Sequence, residues 1–149
     1  MSDASTELGE LTITRIFEAR PEVVFACMTT PEHLTHFWGP IGVSTPFEKI
    51  TVEPRPGGRF ETVMVNDETG DEYPVNAVYV EFDPPRKLSF TEAGVEGGVK
   101  TAIVFYDLGD GRTETVTHQT NVPPMLMSPE AQAGLETSFV KFDAYLASL

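Results

Sequence analysis

The C-terminal stretch 128–149 constrains this chain most, because it reads as one long helix that cannot be stable on its own. Ser128 suits an N-cap, Pro129 suits the first helical turn, and Glu130 places an acid where the helix dipole favours it. Behind them Ala131, Leu135, Ser138, Phe139, Phe142, Tyr145, Leu146 and Leu149 recur at steps of three or four. They form one apolar stripe on an otherwise polar rod. At about 1.5 Å per residue the rod is roughly 30 Å long, the width of a small domain. Its stripe needs a surface to cover, and nearly everything between Glu48 and Thr120 looks like strand and turn.

The strand region is punctuated at short intervals. Turn residues cluster at 54–58, 66–70, 83–86, 93–98 and 109–111, which leaves strands over 47–53, 59–65, 72–82, 87–92, 99–108 and 112–120. With a first strand over 11–18 that makes seven. Such short turns force antiparallel pairing, since a parallel crossover needs about a dozen residues or more. Between the first strand and the rest, Pro21 opens a short helix to about Met28. Thr30-Pro31-Glu32 opens a second, which carries Leu34, Phe37 and Trp38 to a stop at Gly39-Pro40. In the 72–82 strand, Tyr73, Val75, Ala77 and Tyr79 compete with Val78, Val80 and Phe82 for the inner face, and a bulge would satisfy both sets. The expected fold is α+β: a seven-stranded curved antiparallel sheet around a long C-terminal helix, with two short helices between strands 1 and 2. Residues 1–9 read as a disordered lead-in and 10–149 as a single domain.

Composition limits the partners. The net charge of −13, from 10 basic and 23 acidic residues, repels phosphate backbones and anionic membranes, so neither nucleic acid nor a membrane is an expected partner. With no apolar run of transmembrane length and no visible targeting segment, a cytoplasmic location is expected. The single cysteine, Cys27, excludes an internal disulfide and sits in an apolar run that suits a buried small hydrophobe. No cofactor is expected. His33 and His36 share a helix face but lack a third ligand, and a solvated face is the better reading than a metal site. The acidic string 66–72 lacks EF-hand spacing and reads as a hairpin tip. The 94–98 glycines lack the lysine and helix of a phosphate loop. Pro56-Gly57-Gly58 turns one strand into the next and leaves a bare strand start where another group can approach closely. Met125, Leu126 and Met127 are readable as an apolar gate or as core. His118 shares strand phase with Glu114, Val116 and Thr120, opposite the polar set Thr113, Thr115, Thr117 and Gln119. It is therefore expected to point inward, as a satisfied structural histidine or a ligand-facing group.

In order along the chain, several motifs resemble one family. They are Ile13-Thr14-Arg15-Ile16-Phe17, Ala19-Arg20-Pro21-Glu22-Val23-Val24-Phe25, Thr30-Pro31-Glu32-His33-Leu34, Phe37-Trp38-Gly39-Pro40 and Pro54-Arg55-Pro56-Gly57-Gly58-Arg59-Phe60. Glu81-Phe82-Asp83-Pro84-Pro85-Arg86-Lys87-Leu88, Thr117-His118 and Gly134-x-x-x-Ser138 complete the set. Together they resemble the family named after the activator of the ninety-kilodalton heat-shock chaperone's ATPase, within the START-like (SRPBCC), helix-grip superfamily. Where many relatives have Gly-Trp in the last helix, this chain has Gly134-Leu135. The resemblance implies a non-enzymatic binder or carrier of a small, mostly apolar molecule held between sheet and helix. The expected walls are Trp38, Phe60, Thr62, Met64, His118, Leu135, Phe139 and Phe142. Two other readings stay open. One is a co-chaperone-like interaction domain, although nothing in these residues matches the separate chaperone-binding domain of the activator itself. The other is a small cyclase-, aromatase- or hydrolase-like enzyme pairing His118 with Glu61, Tyr73, Tyr79 or Tyr106. A homodimer through the sheet edge or the helical lid is compatible with so small and acidic a domain.

Overall fold

The computed structural model describes residues 9–92 and 98–149, apart from the side chain of Met125. The lead-in, except Gly9, and the turn at 93–98, except Gly98, lie outside the described residues. Strand β1 (Gly9–Phe17) is followed by helices α1 (Pro21–Thr29) and α2 (Pro31–Phe37). Two short strands come next, β2 (Val43–Ser44) and β3 (Thr51–Val52), and then β4 (Arg59–Asn66), β5 (Glu72–Asp83), β6 (Lys87–Glu92), β7 (Lys100–Asp107) and β8 (Thr113–Val122). Helix α3 (Pro129–Ser148) closes the chain.

All eight strands form one antiparallel sheet in the order β1-β8-β7-β6-β5-β4-β2, with β3 also on β4. The expected strand at 47–53 is mostly a 3-10 turn over Phe47–Lys49, leaving only Thr51–Val52 extended. Pro46 bends the backbone there, and its carbonyl accepts from the Lys49 amide at 3.1 Å, so local turn bonds replace ladder bonds. The extra short strand Val43–Ser44 offers too few residues for alternation to be legible.

Side-chain phase decides what the sheet presents to α3. On β1, Leu11, Ile13, Arg15 and Phe17 face inward, while Glu10, Thr12, Thr14 and Ile16 are exposed. The two competing phases of β5 are both used. Ala77 and Tyr79 are buried, the register shifts between Tyr79 and Glu81, and Phe82 beyond the bulge again faces the core. Helix α3 starts where expected, with Ser128 Oγ accepting from the Ala131 amide at 3.2 Å. Its Phe142 and Leu146 are buried.

The core lies toward the C-terminal half of that helix. Phe17 packs on Phe142 with ring centroids 4.8 Å apart, and Phe25 meets Phe82 at 5.3 Å and Phe105 at 5.1 Å, so α1 seals this end of the sheet. Each such ring contributes roughly 1.5–3 kcal/mol by leaving water. Among the described residues no helix is long and apolar enough to cross a membrane.

Candidate functional site

The two ends of the concave face differ. Phe17, Leu88, Ile103, Phe105, Thr113 and Thr115 are buried beneath α1 and the C-terminal half of α3. Farther along the same inner phase, Phe90 on β6 and Thr117 and Gln119 on β8 are only half-buried. These strands have neighbours on both sides, so a gap above the sheet explains that exposure better than the sheet edge does. The helix agrees: Ala131, Leu135, Ser138 and Phe139 are half-buried where Phe142 and Leu146 are covered. Helix α3 runs along β1, with Phe139 over Arg15 and Phe17, and Met127 against Gly9. Its N-terminal half therefore leaves a half-covered cleft over the far end of the sheet, in which Thr101, between Phe90 and Gln119, is still buried.

Four of the expected wall residues lie together at the β4 side of the sheet. Trp38 ends α2 and sets its ring edge-on to Phe60 at 5.5 Å. Phe60, Thr62 and Met64 share the inner phase of β4, the first two buried and Met64 half-buried. Gly39, at φ +98°, leaves room for Met64, whose sulfur would sit 3.4 Å from any added Cβ. Leu135 and Phe139 are half-buried on α3, Phe139 against Arg15 and Phe17 of β1. Phe142 does not share this cleft: it is stacked on Phe37 at 4.0 Å inside the core.

His118 is on the other face. It is exposed on the convex side, where its Nδ1 lies 3.0 Å from Thr12 Oγ1 on the neighbouring strand. The inner phase of β8 is the threonine set instead. Thr113 Oγ1 donates to the Ala19 carbonyl at 2.7 Å and Thr115 Oγ1 to that of Arg15 at 3.3 Å, so their hydroxyls are satisfied and their methyl groups pack inward. The register with β7 carries the signal that β8 alone lacks: Thr117 faces Ile103 and Thr115 faces Phe105, and opposite residues share a face. The proposed acid/base partners are scattered. Glu61 lies beside Arg59, Tyr79 is buried on the inner face, and Tyr73 and Tyr106 are exposed.

Polar groups frame the cleft rather than fill it. Arg15 reaches up from β1 to α3, pairing with Glu136 and, at 2.6 Å, with Asp143, while its guanidinium lies 5.2 Å from the Phe139 ring centre. Burial opposes its charge, but the bonds to Asp143 and Glu136 outweigh that and hold its pKa above the ordinary value. On the opposite flank Lys141 Nζ donates to the carbonyls of Gly39, Pro40 and Val43 at 3.1–3.4 Å, and the Ile41 amide donates to Thr137 Oγ1 at 3.0 Å. Inside, Gln119 Nε2 donates to Thr101 Oγ1 at 3.1 Å. The Thr62 hydroxyl, in a residue only 1% exposed, has no hydrogen-bond partner among the described residues.

Other expected sites resolve into structure. His33 Nδ1 is 2.5 Å from the Tyr145 hydroxyl and His36 stacks on the same ring at 4.9 Å, which ties α2 to α3. Among the described residues no three His, Cys, Asp or Glu side chains are grouped to hold a metal. At the 66–72 tip, Asn66 Oδ1 accepts from the Glu68 and Thr69 amides, a turn-forming role. Leu126 and Met127 are exposed before α3. Two concavities lie elsewhere. A groove of about 420 Å³ runs between α1 and the Pro54 and Pro84-Pro85 turns, and a dip of about 280 Å³ on the convex face is lined by Ser89, Lys100, Ala102 and His118. The groove's Phe25 and Phe82 already pack on each other. Neither concavity opens on the helix roof.

Residues 18–147 match the family described as Activator of Hsp90 ATPase homolog 1-like protein. No curated protein matches the chain in sequence. Solved structures that resemble it include a protein from Nitrosomonas europaea, 22% identical with a TM-score of 0.80, covering 99% of this chain and 98% of that one. A protein from Rhodobacter sphaeroides is 21% identical with a TM-score of 0.82, covering 96% and 99%. The AHSA1 protein from Silicibacter pomeroyi is 24% identical with a TM-score of 0.77, covering 93% and 98%. At these identities the likeness carries the helix-grip fold and no activity.

Proposed function

Since the chain belongs to the Activator of Hsp90 ATPase homolog 1-like family, we propose that it binds or carries a small, mostly apolar molecule in the cleft between its sheet and the N-terminal half of α3. One observation carries this reading. Phe90, Thr117 and Gln119, inner-face residues of strands that are paired on both sides, are left half-buried beneath a helix whose other half is sealed onto the core. A domain that needed this surface only for stability would gain by closing it, at roughly 25 cal/mol per Å² of apolar surface covered. The Trp38, Phe60, Met64, Leu135 and Phe139 side chains supply the apolar walls that such pockets use.

A displacement assay tests it. A neutral apolar fluorophore such as N-phenyl-1-naphthylamine is expected to brighten on binding the wild-type protein. Leu135→Trp, which puts an indole into the cleft from its roof, is expected to abolish the signal while keeping the melting temperature. Absence of binding by the wild-type protein refutes the proposal, as does undiminished binding by a folded Leu135→Trp variant.

A further inference from the structure

We infer that Thr62 is the polar reading point of the cleft, and that the occupant is an uncharged molecule with a hydroxyl or carbonyl at the end of an apolar body. This rests on the ligand-binding reading of the cleft. Thr62 lies between Phe60, which touches Trp38, and Met64 on the inner phase of β4, and its Oγ1 is buried with no hydrogen-bond partner among the described residues. The buried hydroxyls of the neighbouring strands are engaged: Thr113 and Thr115 bond backbone carbonyls, and Thr101 accepts from Gln119. A valine would fill the same space without leaving a dry hydroxyl. A threonine there is explained by a partner that arrives from outside.

Charge narrows the class. Beneath the N-terminal half of α3, the charged strand residues on the inner phase are Arg15, already paired with Glu136 and Asp143, and Glu92, which stands opposite buried Ala77. On the roof, Lys141 spends its three N–H donors on the carbonyls of Gly39, Pro40 and Val43. A carboxylate or phosphate head would therefore meet an acid and only cations whose donors are already engaged, in a protein of net charge −13. A threonine hydroxyl both donates and accepts, so it serves an alcohol or a ketone equally. The hydroxyl itself is shut off from solvent, so a ligand reaches it only if a neighbouring side chain yields, and half-buried Met64, two residues along β4 with a flexible thioether, is the side chain suited to do so.

Three rigid probes of one shape separate the cases: 2-naphthol, naphthalene and 2-naphthoate, titrated at pH 7 into wild-type and Thr62→Val protein and followed by backbone-amide chemical shifts. The wild type is expected to bind 2-naphthol about fivefold more tightly than naphthalene, which is the worth of one hydrogen bond. It is expected to bind 2-naphthoate more weakly than 2-naphthol. Thr62→Val should remove the preference for the hydroxyl, leave naphthalene binding unchanged and raise the melting temperature, because an unpartnered hydroxyl has gone. A preserved 2-naphthol preference in Thr62→Val, a lowered melting temperature, or 2-naphthoate binding as tightly as 2-naphthol overturns the inference. If no probe shifts Phe90, Thr117 or Gln119, the cleft reading itself fails.

Discussion

Phe37 and Phe142 lie face to face, ring centroids 4.0 Å apart and planes 12° from parallel, and through this pair α2 is joined to α3. Phe142 also packs on Phe17, so one ring connects lid, roof and sheet. Phe142→Ala is expected to cost about 3–5 kcal/mol in urea unfolding, the range for truncating a buried aromatic. Phe139→Ala, half-buried over the cleft, is expected to cost less than half as much. Equal losses at the two positions would mean that the cleft is as tightly packed as the core.

Gly58 tolerates no side chain. A Cβ there would lie 2.1 Å from the Glu53 carbonyl oxygen, a clash with backbone that no side-chain rotation relieves. Gly57 next to it meets nothing within 4 Å but holds φ +80°. Gly58→Ala should therefore fail to fold or lose more than about 3 kcal/mol, whereas Gly57→Ala should lose about 1 kcal/mol from left-handed strain alone. Comparing urea midpoints of the two variants checks the ranking, and a milder Gly58→Ala would contradict it.

Arg15 contributes through charge and through stacking. Its partners Glu136 and Asp143 have side chains 59% and 44% exposed, so water and salt screen both pairs. Arg15→Met, which keeps the apolar stem, is expected to lower stability by about 1 kcal/mol at low salt. The deficit should shrink as sodium chloride approaches about 1 M. A deficit indifferent to salt would assign the whole effect to the contact with Phe17 and Phe139.

Cys27 is buried, and that burial pushes its thiol up to about 11 from an ordinary 9.0. The folded protein should react with a thiol reagent at pH 8 orders of magnitude more slowly than the urea-unfolded chain. The raised pKa also fixes a direction for stability. The thiol's contribution is complete below pH 9, where both states keep the proton, and is lost as pH climbs from 9 through about 11. Fast labelling of native protein at pH 8 would show the site to be open.

Much of this architecture is written in local sequence. Ser128-Pro129 marks the start of α3 because capping chemistry acts within one turn, and Gly58 is legible because a bare strand start has few other uses. The bulge in β5 is foreshadowed by two apolar phases that cannot both be right without one. The cleft is harder to read, since its floor depends on register between strands far apart in the chain. His118 illustrates the difficulty. On β8 alone the phase containing His118 and Val116 looks the more apolar, yet Ile103 and Phe105 on β7 draw the threonines inward. Trp38, Phe60, Thr62 and Met64 are recognisable as neighbours of one surface, whereas the inward positions of Thr101, Thr117 and Gln119 follow only from pairing.

The clamps on α3 are unevenly placed. Glu136, Thr137, Lys141, Asp143 and Tyr145 tether it to β1, to the 39–43 loop and to α2, whereas before Glu136 the helix rests on half-buried Ala131 and Leu135. A rod clamped along one half, and held at its start only through the short turn where Met127 rests on Gly9, has its greater thermal amplitude in the less-clamped half. Amide exchange should therefore be fastest toward Pro129 and slowest around Phe142. Such a helix can rise to admit a guest without the hydrophobic core having to unpack.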